Sequence, residues 1–274
     1  MQRLLTCLLL AVIVQGTVAF GWNPVRVKDP NDPNFVRRVI GGIMTSNAEL
    51  GGYIVAMRYY DMFACGGTLI QETIVLTAAH CFVNREKKDQ WDFIGGISNL
   101  NEMAERHKMK DMIISPDFRP EDLYSDVAIV LLKKPLVGRN IGTVSLCTTE
   151  LKPGMPVVVS GWGLTREGAK QENYLRTVTV PVIDWEQCRS SYNRTEVILS
   201  HTMICAGVRG SKDACLYDSG GPLVYNKEIC GIVSFGIGCA HKNYPGVYTD
   251  VRVMKPFIEE SIERLLSLKY LARK

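Results

Sequence analysis

From about residue 39 onward, the chain is a succession of short apolar runs separated by Gly, Pro and Asn residues. Most of the runs are short and several are rich in Val and Ile, which is typical of buried β-strands. No helical pattern of about ten to fifteen residues alternates with them, so the sequence favours an all-β sandwich or closed barrels over an α/β fold. The predicted strands are Tyr53–Arg58, Gly67–Ile70, Ile74–Ala79, Val127–Leu132, Pro156–Ser160, Val178–Val182, Leu223–Tyr225, Ile229–Phe235 and Gly246–Val251.

The C-terminal part of the chain carries a helical pattern instead. Apolar residues recur there at a spacing of about 3.6 residues among charged ones, which predicts one surface helix docked on the β body. These apolar residues are Phe257, Ile258, Ile262, Leu265 and Leu266. No fixed period repeats along the chain, so solenoid and propeller architectures have no support.

The first 38 residues differ from the rest in their pattern of apolar and polar residues. Arg3 precedes the apolar run Leu4–Val14, and small residues ending at Ala19 suit a signal-peptide cleavage site. That run is too short to span a bilayer comfortably, and nothing later in the chain is apolar for long enough. We therefore expect a signal peptide over residues 1–19, a polar pro-segment over residues 20–38 and one domain over residues 39–274. The expected product is secreted, extracellular and not bound to a membrane.

Of the 274 residues, 46% are apolar, which is typical of a globular protein. This composition excludes a disordered or low-complexity protein. The formal net charge is +4, but the first 38 residues hold five basic and two acidic residues, so the remainder is close to neutral. That balance offers no basic face for a nucleic acid. Of the nine cysteines, Cys7 leaves with the signal peptide. The other eight are expected to pair in an oxidising compartment, although spacing alone does not choose the pairing.

Three short segments carry residues suited to acid–base and nucleophilic chemistry. His80 closes an apolar, strand-like run and has the side chain best suited to exchanging a proton near neutral pH. Asp126 heads the run Val127–Leu132, where its carboxylate could orient a histidine ring. Ser219 lies between Asp218 and two glycines, so backbone and substrate can approach closely. Taken singly, each has a structural alternative: a histidine at a strand end, an aspartate in a turn and a serine in a loop.

Taken together, in the order His, Asp, Ser, the three segments resemble those of the chymotrypsin/trypsin family of serine endopeptidases. The resemblance extends from Val39 to about residue 265. It implies two six-stranded antiparallel β-barrels with the active site in the cleft between them and a C-terminal α-helix, which agrees with the all-β pattern. The segments that carry it are Arg38–Gly42, Cys65–Ile70, Thr77–Cys81, Asp126–Ala128, Gly161–Gly163, Asp218–Pro222, Ser234–Gly236 and Pro245–Thr249.

The resemblance assigns roles to individual residues. It implies that Ser219 is the nucleophile, that His80 is the base and that Asp126 orients His80. Ser234 matches the family serine that donates a hydrogen bond to this aspartate. The backbone N–H groups of Tyr217 and Ser219 would form the oxyanion hole of a two-step acyl transfer to water.

Tyr217 departs from the family pattern, which has glycine at this position. A residue with a Cβ resists the glycine-type backbone geometry, at a strain of about 1 to 3 kcal/mol. Three outcomes are open: a working enzyme that tolerates the strain, a slow and selective enzyme whose substrate orders the oxyanion hole, or an inactive homologue that acts as a binding or regulatory protein.

The primary specificity pocket also follows from the resemblance. Asp213, which precedes Ser219 by six residues, matches the pocket floor of trypsin-like members. A buried carboxylate there favours a cationic side chain on the substrate. Gly236 and Gly246 match the pocket walls and leave room for a long arginine, so the resemblance implies cleavage after Arg or Lys.

An activation site is implied at the junction of the pro-segment and the domain. Cleavage after Arg38 would free the α-amino group of Val39, which would then pair with Asp218 and order the pocket and oxyanion loop. The predicted function is therefore that of a secreted zymogen of a trypsin-like serine endopeptidase. Its expected partners are protein or peptide substrates, an activating protease and protein protease inhibitors, and the expected state is a monomer.

The family register also implies disulfide pairs. Those that it shares with the common family pattern are Cys65 with Cys81, Cys188 with Cys205, and Cys215 with Cys239. Cys147 and Cys230 are left over, and parity indicates a fourth bridge, similar to one in insect secreted trypsin-like proteases.

We expect no cofactor and no metal. Gly96 stands where the first glutamate ligand of the family's calcium loop would be, and paired cysteines leave no cluster with metal-ligand spacing. The one N-glycosylation sequon begins at Asn193.

Overall fold

A computed structural model of the chain describes residues 42–163, 173–208, 210–211, 218–238 and 241–271, with the side chains of the last helix described through residue 267. The strands of these ranges are β1 (Ile43–Met44), β2 (Ile54–Tyr59), β3 (Met62–Gln71), β4 (Ile74–Thr77), β5 (Trp91–Gly95), β6 (His107–Ile114), β7 (Ala128–Leu132), β8 (Ser145–Leu146), β9 (Pro156–Gly161), β10 (Arg176–Pro181), β11 (Met203–Ala206), β12 (Pro222–Tyr225), β13 (Glu228–Phe235) and β14 (Gly246–Asp250). The helices are α1 (Asn47–Leu50), α2 (Trp185–Tyr192) and α3 (Val251–Leu271), and 3₁₀ turns cover Ala79–Phe82 and Lys88–Gln90.

Six strands of the N-terminal half form a closed barrel in the order β2-β3-β4-β7-β6-β5, with every neighbouring pair antiparallel. All five residues of β7 are buried, and so are the first four of β2. Both faces of β7 are covered because one faces the barrel interior and α3 packs against the strand. This double burial explains why β7 reads as a continuous apolar run rather than an alternating one.

The C-terminal half forms a second sheet, in the order β1-β10-β9-β12-β13-β14-β11. Strands β10 and β11, which lie near opposite ends of this order, are joined by an antiparallel bridge between Val182, just after β10, and Ala206, at the end of β11. Alternate residues of β9 and β10 point into its core, where valines predominate. The expectation of an all-β fold with a C-terminal helix is therefore confirmed. The second sheet differs from a simple antiparallel barrel because it also carries β1 at one edge, and β8 pairs with β13 in parallel.

Helix α3 begins earlier than the apolar spacing predicts. Its N-terminus is capped by Asp250, whose Oδ1 accepts hydrogen bonds from the N–H groups of Arg252 (2.9 Å) and Val253 (3.1 Å). Burial raises the pKa of the Asp250 carboxyl. Of the predicted apolar face, Ile258, Ile262 and Leu265 are buried, while Phe257 and Leu266 are partly buried. The helix packs on strands of both halves of the molecule, namely β6, β7, β13 and β14. None of the helices in the described ranges is long and apolar enough to cross a membrane.

Helix α2 is an element that the apolar pattern does not predict. It begins after Asp184, whose side chain accepts a hydrogen bond from Gln187 N–H at 3.0 Å. Only Cys188 and Tyr192 are buried along its length, so it presents no broad apolar stripe. A disulfide from Cys188 to Cys205 fixes the helix to β11.

The connection between the two halves is fastened to the second sheet at two points. A disulfide joins Cys147 to Cys230. Beside it, Glu228 accepts hydrogen bonds from the hydroxyls of Thr148 (2.6 Å) and Thr149 (2.7 Å) and from both backbone N–H groups. These bonds lower the pKa of the Glu228 carboxyl.

Glu228→Gln should weaken the dependence of stability on pH. A carboxyl whose pKa is lowered by folding stabilises the protein above its ordinary pKa, and this contribution is lost as the pH falls through the lowered value. The wild type should therefore lose more stability than the variant between neutral pH and about pH 3, by less than about 1 kcal/mol because the group is near solvent. Thermal midpoints across this range measure the difference, with Glu260→Gln on the exposed face of α3 as the control. Identical pH profiles for wild type and Glu228→Gln would contradict the expectation.

Candidate active site

His80 and Asp126 form a tightly bonded pair. His80 lies in the 3₁₀ turn that follows β4, and Asp126 lies immediately before the run that forms β7. The imidazole Nδ1 is 2.7 Å from Asp126 Oδ2, and the backbone N–H of His80 donates to Oδ1 at 2.9 Å. The carboxylate side chain is 0% exposed and the imidazole is 22% exposed. A buried carboxylate that fixes one ring nitrogen leaves the other free to exchange a proton at the surface.

Asp126 is held by the second sheet as well as by the first barrel. The Ser234 hydroxyl on β13 donates to Asp126 Oδ2 at 2.5 Å, and the Thr249 hydroxyl on β14 donates to the Asp126 carbonyl at 2.8 Å. Asp126 is 1% exposed, so its polar groups depend on these protein partners rather than on bulk water. The carboxylate is therefore fully enclosed by donors.

Ser219 lies in a tight turn that is anchored to both halves of the molecule. Its carbonyl accepts a hydrogen bond from the N–H of Gly66 on β3 at 2.8 Å. Gly220, at φ +76°, lies so close to the segment before His80 that a Cβ there would be 2.2 Å from Thr77 Oγ1. Only glycine fits this approach, which brings the turn of Ser219 against the strand end that leads into His80.

Asp218 is buried beneath the Ser219 turn, at 1% exposure. Its Oδ1 accepts a hydrogen bond from the N–H of Gly163 at 2.8 Å. A Cβ on Gly161 or Gly163 would lie 2.1 or 2.3 Å from a carboxylate oxygen of Asp218. The Gly-Trp-Gly motif therefore makes room for this buried carboxylate.

Gly236 and Gly246 face each other where β13 and β14 separate. A Cβ built on Gly236 would be 3.9 Å from the Cα of Gly246, so the two backbones lie close together, and neither glycine adds a side chain there. Nearby, the ring of Phe235 packs edge-on against Tyr192 with centroids 6.2 Å apart, and the Tyr192 hydroxyl donates to the Pro245 carbonyl at 2.6 Å. Helix α2 thereby supports the backbone beside these two glycines.

The described residues include two groups of His, Cys, Asp and Glu that are close enough to share a metal ion. One contains His80 with Cys65 and Cys81, and the other contains Glu228 with Cys147 and Cys230. In both groups the two cysteines are bonded to each other. Neither group therefore offers a thiolate to a metal.

The fold is mostly β, and it carries a histidine, a buried aspartate and a serine turn in that order along the chain. These features agree with one family of known proteins. The family model described as Trypsin matches residues 39–258. The chain belongs to the trypsin family. Its members are serine proteases, and the expectation drawn from the sequence is confirmed at this level.

Individual members of the trypsin family are similar over nearly the whole chain. Seminase of Drosophila melanogaster is 54% identical over 97% of this chain and 99% of its own length. The vitellin-degrading protease of Bombyx mori is 36% identical over 89% of this chain and 93% of its own length. Trypsin eta of Drosophila melanogaster is 34% identical over 81% of this chain and 87% of its own length. All three are insect proteins, which agrees with the similarity of the fourth cysteine pair to one in insect secreted trypsin-like proteases.

Several residues singled out by the trypsin-family resemblance lie outside the described ranges. They are Arg38, Val39, Asp213, Cys215, Tyr217 and Cys239. The other three expected disulfides, including Cys65 to Cys81 and Cys147 to Cys230, are present. Gly66 and Thr249 lie within the longer family motifs, but the sequence alone predicts no part in the site for either of them. Their contacts join residues far apart in the chain, so no local pattern could have indicated them.

Proposed function

We propose that this trypsin-family protein is the secreted zymogen of a serine endopeptidase that cleaves peptide bonds after Arg or Lys. The observation that carries the proposal is the pairing of His80 Nδ1 with the fully buried Asp126 carboxylate at 2.7 Å, next to the turn that holds Ser219. An arrangement of this kind serves acyl transfer, in which a neutral histidine takes a proton from a serine hydroxyl.

The reaction begins when Ser219 Oγ attacks the carbonyl carbon of the scissile bond while His80 Nε2 takes the hydroxyl proton. The carbonyl π electrons move to oxygen, where the backbone N–H groups of Tyr217 and Ser219 stabilise the negative charge. Collapse of this intermediate breaks the C–N bond, and His80 gives its proton to the leaving amine. Water then attacks the acyl-enzyme with His80 as the base again, which releases the acid and restores Ser219. Throughout, Asp126 holds the ring and stabilises the imidazolium.

The preference for Arg and Lys rests on Asp213 as the floor of the primary pocket. Gly236 and Gly246 support this proposal because neither would put a side chain in the way of a long substrate side chain. A carboxylate at the floor of such a pocket pairs with a guanidinium or ammonium group but leaves an apolar substrate side chain with an unpaired buried charge.

Activation is proposed to follow cleavage between Arg38 and Val39. The buried carboxylate of Asp218 supports this step, because it lies under the Ser219 turn and its position is already fixed in part by Gly163 N–H. Pairing with the new α-amino group would hold the pocket and the oxyanion loop in their working conformation.

We place the mature enzyme outside the cell, after removal of residues 1–19, as a monomer with protein substrates and protein protease inhibitors as partners. The name of the Bombyx relative describes a protease of a protein substrate, vitellin, which supports protein substrates here. Asn193 follows α2 and is exposed, so an N-linked glycan can be attached there after secretion.

Labelling with a fluorophosphonate probe tests the proposed activity. After cleavage at Arg38, the wild type should react covalently through Ser219 and hydrolyse an arginyl ester, whereas Ser219→Ala should do neither. Tyr217→Gly should change the rate by less than about ten-fold, because the proposal takes the backbone N–H of Tyr217 as a working donor of the oxyanion hole.

The same assay separates the alternative function. If the cleaved wild type neither labels nor hydrolyses the ester while Tyr217→Gly does both, the chain is a non-catalytic homologue. Its role would then be to bind substrates or inhibitors without cleaving them, and the proposed endopeptidase activity would be wrong.

A further inference from the structure

Thr249 makes a buried contact with the backbone of Asp126. Its hydroxyl donates to the Asp126 carbonyl oxygen at 2.8 Å, and both residues are 1% exposed. Thr249 belongs to β14 of the second sheet, whereas Asp126 leads into β7 of the first barrel. The hydrogen bond therefore crosses from one half of the molecule to the other at the residue that orients His80.

The position of the Thr249 hydroxyl is fixed by its surroundings. Thr249 pairs with Ile232 of β13 on one side and with Met203 of β11 on the other, so its backbone lies in the interior of the sheet. A β-branched side chain has few χ1 rotamers, and this one is enclosed. The backbone pairing and the restricted side chain together fix the position of the Thr249 hydroxyl.

Unlike Thr249, the segment around Asp126 is not held by pairing within a sheet. Leu123 and Ser125, both on the approach to Asp126, have φ angles of +54° and +50°. Val127 N–H donates to the Ser125 carbonyl at 2.8 Å, so Asp126 is the central residue of a three-residue turn and lies outside the β7 ladder. Such strained backbone persists only where tertiary contacts determine it.

We propose that Thr249 is a positioning residue, which fixes the backbone of Asp126 so that its carboxylate meets the imidazole of His80. Ser234 holds the carboxylate end and Thr249 holds the main-chain end, so the two hydroxyls together set the direction of the side chain. The effect on turnover rests on the proposed endopeptidase function. The effect on the His80–Asp126 pair does not, because it concerns the ground-state geometry of the protein.

The kinetic test compares Thr249→Val, which keeps the shape but removes the donor, with Thr249→Ser, which keeps the donor. In the activated enzyme, Thr249→Val should lower kcat by about 10- to 100-fold and change KM by less than about two-fold, because the reacting groups are misplaced while substrate binding is retained. Thr249→Ser should recover most of the loss. The control is Thr177→Val, which removes another threonine hydroxyl of the second sheet, one whose hydrogen bonds go to the Val159 carbonyl and the Ser160 hydroxyl rather than to His80, Asp126 or Ser219. It should leave kcat unchanged.

A spectroscopic test needs no turnover and is made in the Ser219→Ala background. The downfield proton resonance of His80 Nδ1–H reports the hydrogen bond to Asp126. This resonance should move upfield or broaden in Thr249→Val, stay in place in Thr249→Ser and be unaffected by Thr177→Val. If Thr249→Val does not fold, Thr249→Ala replaces it in both tests.

Each combination of results has a distinct meaning. An altered His80 resonance in an enzyme that never turns over supports the positioning role and refutes the proposed activity. A Thr249→Val variant with a lower thermal midpoint but wild-type kcat and an unchanged resonance overturns the positioning role and leaves only a structural one. Equal impairment of Thr249→Ser and Thr249→Val overturns it as well.

Discussion

Asp126→Asn should lower kcat of the activated protein by about 10⁴-fold while KM changes by less than about two-fold. The carboxylate accepts hydrogen bonds from three donors, which are His80 N–H, His80 Nδ1–H and the Ser234 hydroxyl. An amide has one acceptor oxygen, and its NH₂ group would face one of these donors. The amide NH₂ therefore favours the other tautomer of His80, in which Nδ1 is an acceptor and Nε2 carries the proton. In that tautomer Nε2 no longer accepts a proton from Ser219. Steady-state kinetics on an arginyl ester measure the loss.

The control for Asp126→Asn is the same substitution at Asp117, an exposed residue. It changes the net charge equally and should leave kcat within about two-fold of the wild type, as surface changes usually do. Thermal unfolding of both variants shows whether the fold is retained. A loss of less than about ten-fold in a folded Asp126→Asn variant would mean that His80 does not depend on this carboxylate, and the proposed mechanism would be wrong.

Asp213→Ser should remove the proposed preference for basic substrates, because the proposal takes Asp213 as the floor of the primary pocket. Loss of one partner of a buried charge pair costs about 2 to 5 kcal/mol, so kcat/KM for arginyl and lysyl amides should fall by about 30- to 5,000-fold. An uncharged pocket should accept apolar side chains more readily, because their binding no longer leaves a buried carboxylate unpaired. Hydrolysis of matched arginyl, lysyl and phenylalanyl amides gives the ratio directly.

Two comparisons make the Asp213 result specific. Asp117→Ser removes an exposed carboxylate and should leave the ratio of arginyl to phenylalanyl hydrolysis unchanged. Probe labelling of Asp213→Ser at Ser219 should continue, because a small fluorophosphonate does not need the pocket floor. An unchanged ratio in the Asp213 variant would show that another group selects the substrate.

The apolar pattern predicts the strands that are buried on both faces and the strands in which buried and exposed residues alternate regularly. Strand β7 is the clearest case, since every one of its residues is apolar and buried. Strands β5 and β6 were not predicted because charged residues interrupt them. Their register places Asp92 opposite Lys108, and the two side chains form an ion pair at 2.9 Å. A cross-strand ion pair stabilises the pairing of the two strands, but its charged residues interrupt the apolar runs by which strands were sought.

Helix α2 did leave a signal that apolar spacing does not register. Asp184 and Gln187 stand three residues apart at its start, and the aspartate side chain accepts the Gln187 N–H. This is the spacing of an N-terminal cap. The short helix is held to the body mainly by Tyr192 and the Cys188 disulfide, so it needs no continuous apolar face.

The sequence identified the chemical groups of the candidate site but not how they are supported. His80, Asp126 and Ser219 were recognisable because each stands in a short motif and their order along the chain is informative. The bond from Thr249 to Asp126 spans 123 positions of sequence, and the bond from Gly66 to Ser219 also joins distant segments. Such contacts exist only once the two halves have packed together, so they follow from tertiary structure and not from any local pattern.

If the protein cleaves after Arg and Lys as proposed, the disulfide between Cys147 and Cys230 affects how long it survives cleavage by other copies of itself. Of the three disulfides in the described ranges, it alone joins a residue before β9 to the strands after it. A cut after Arg166 or Lys170, both between these cysteines in the sequence, would leave two fragments that remain covalently linked. Nicked molecules would then travel as a single species on a non-reducing gel and separate only after reduction, so self-digestion there need not release half of the active site.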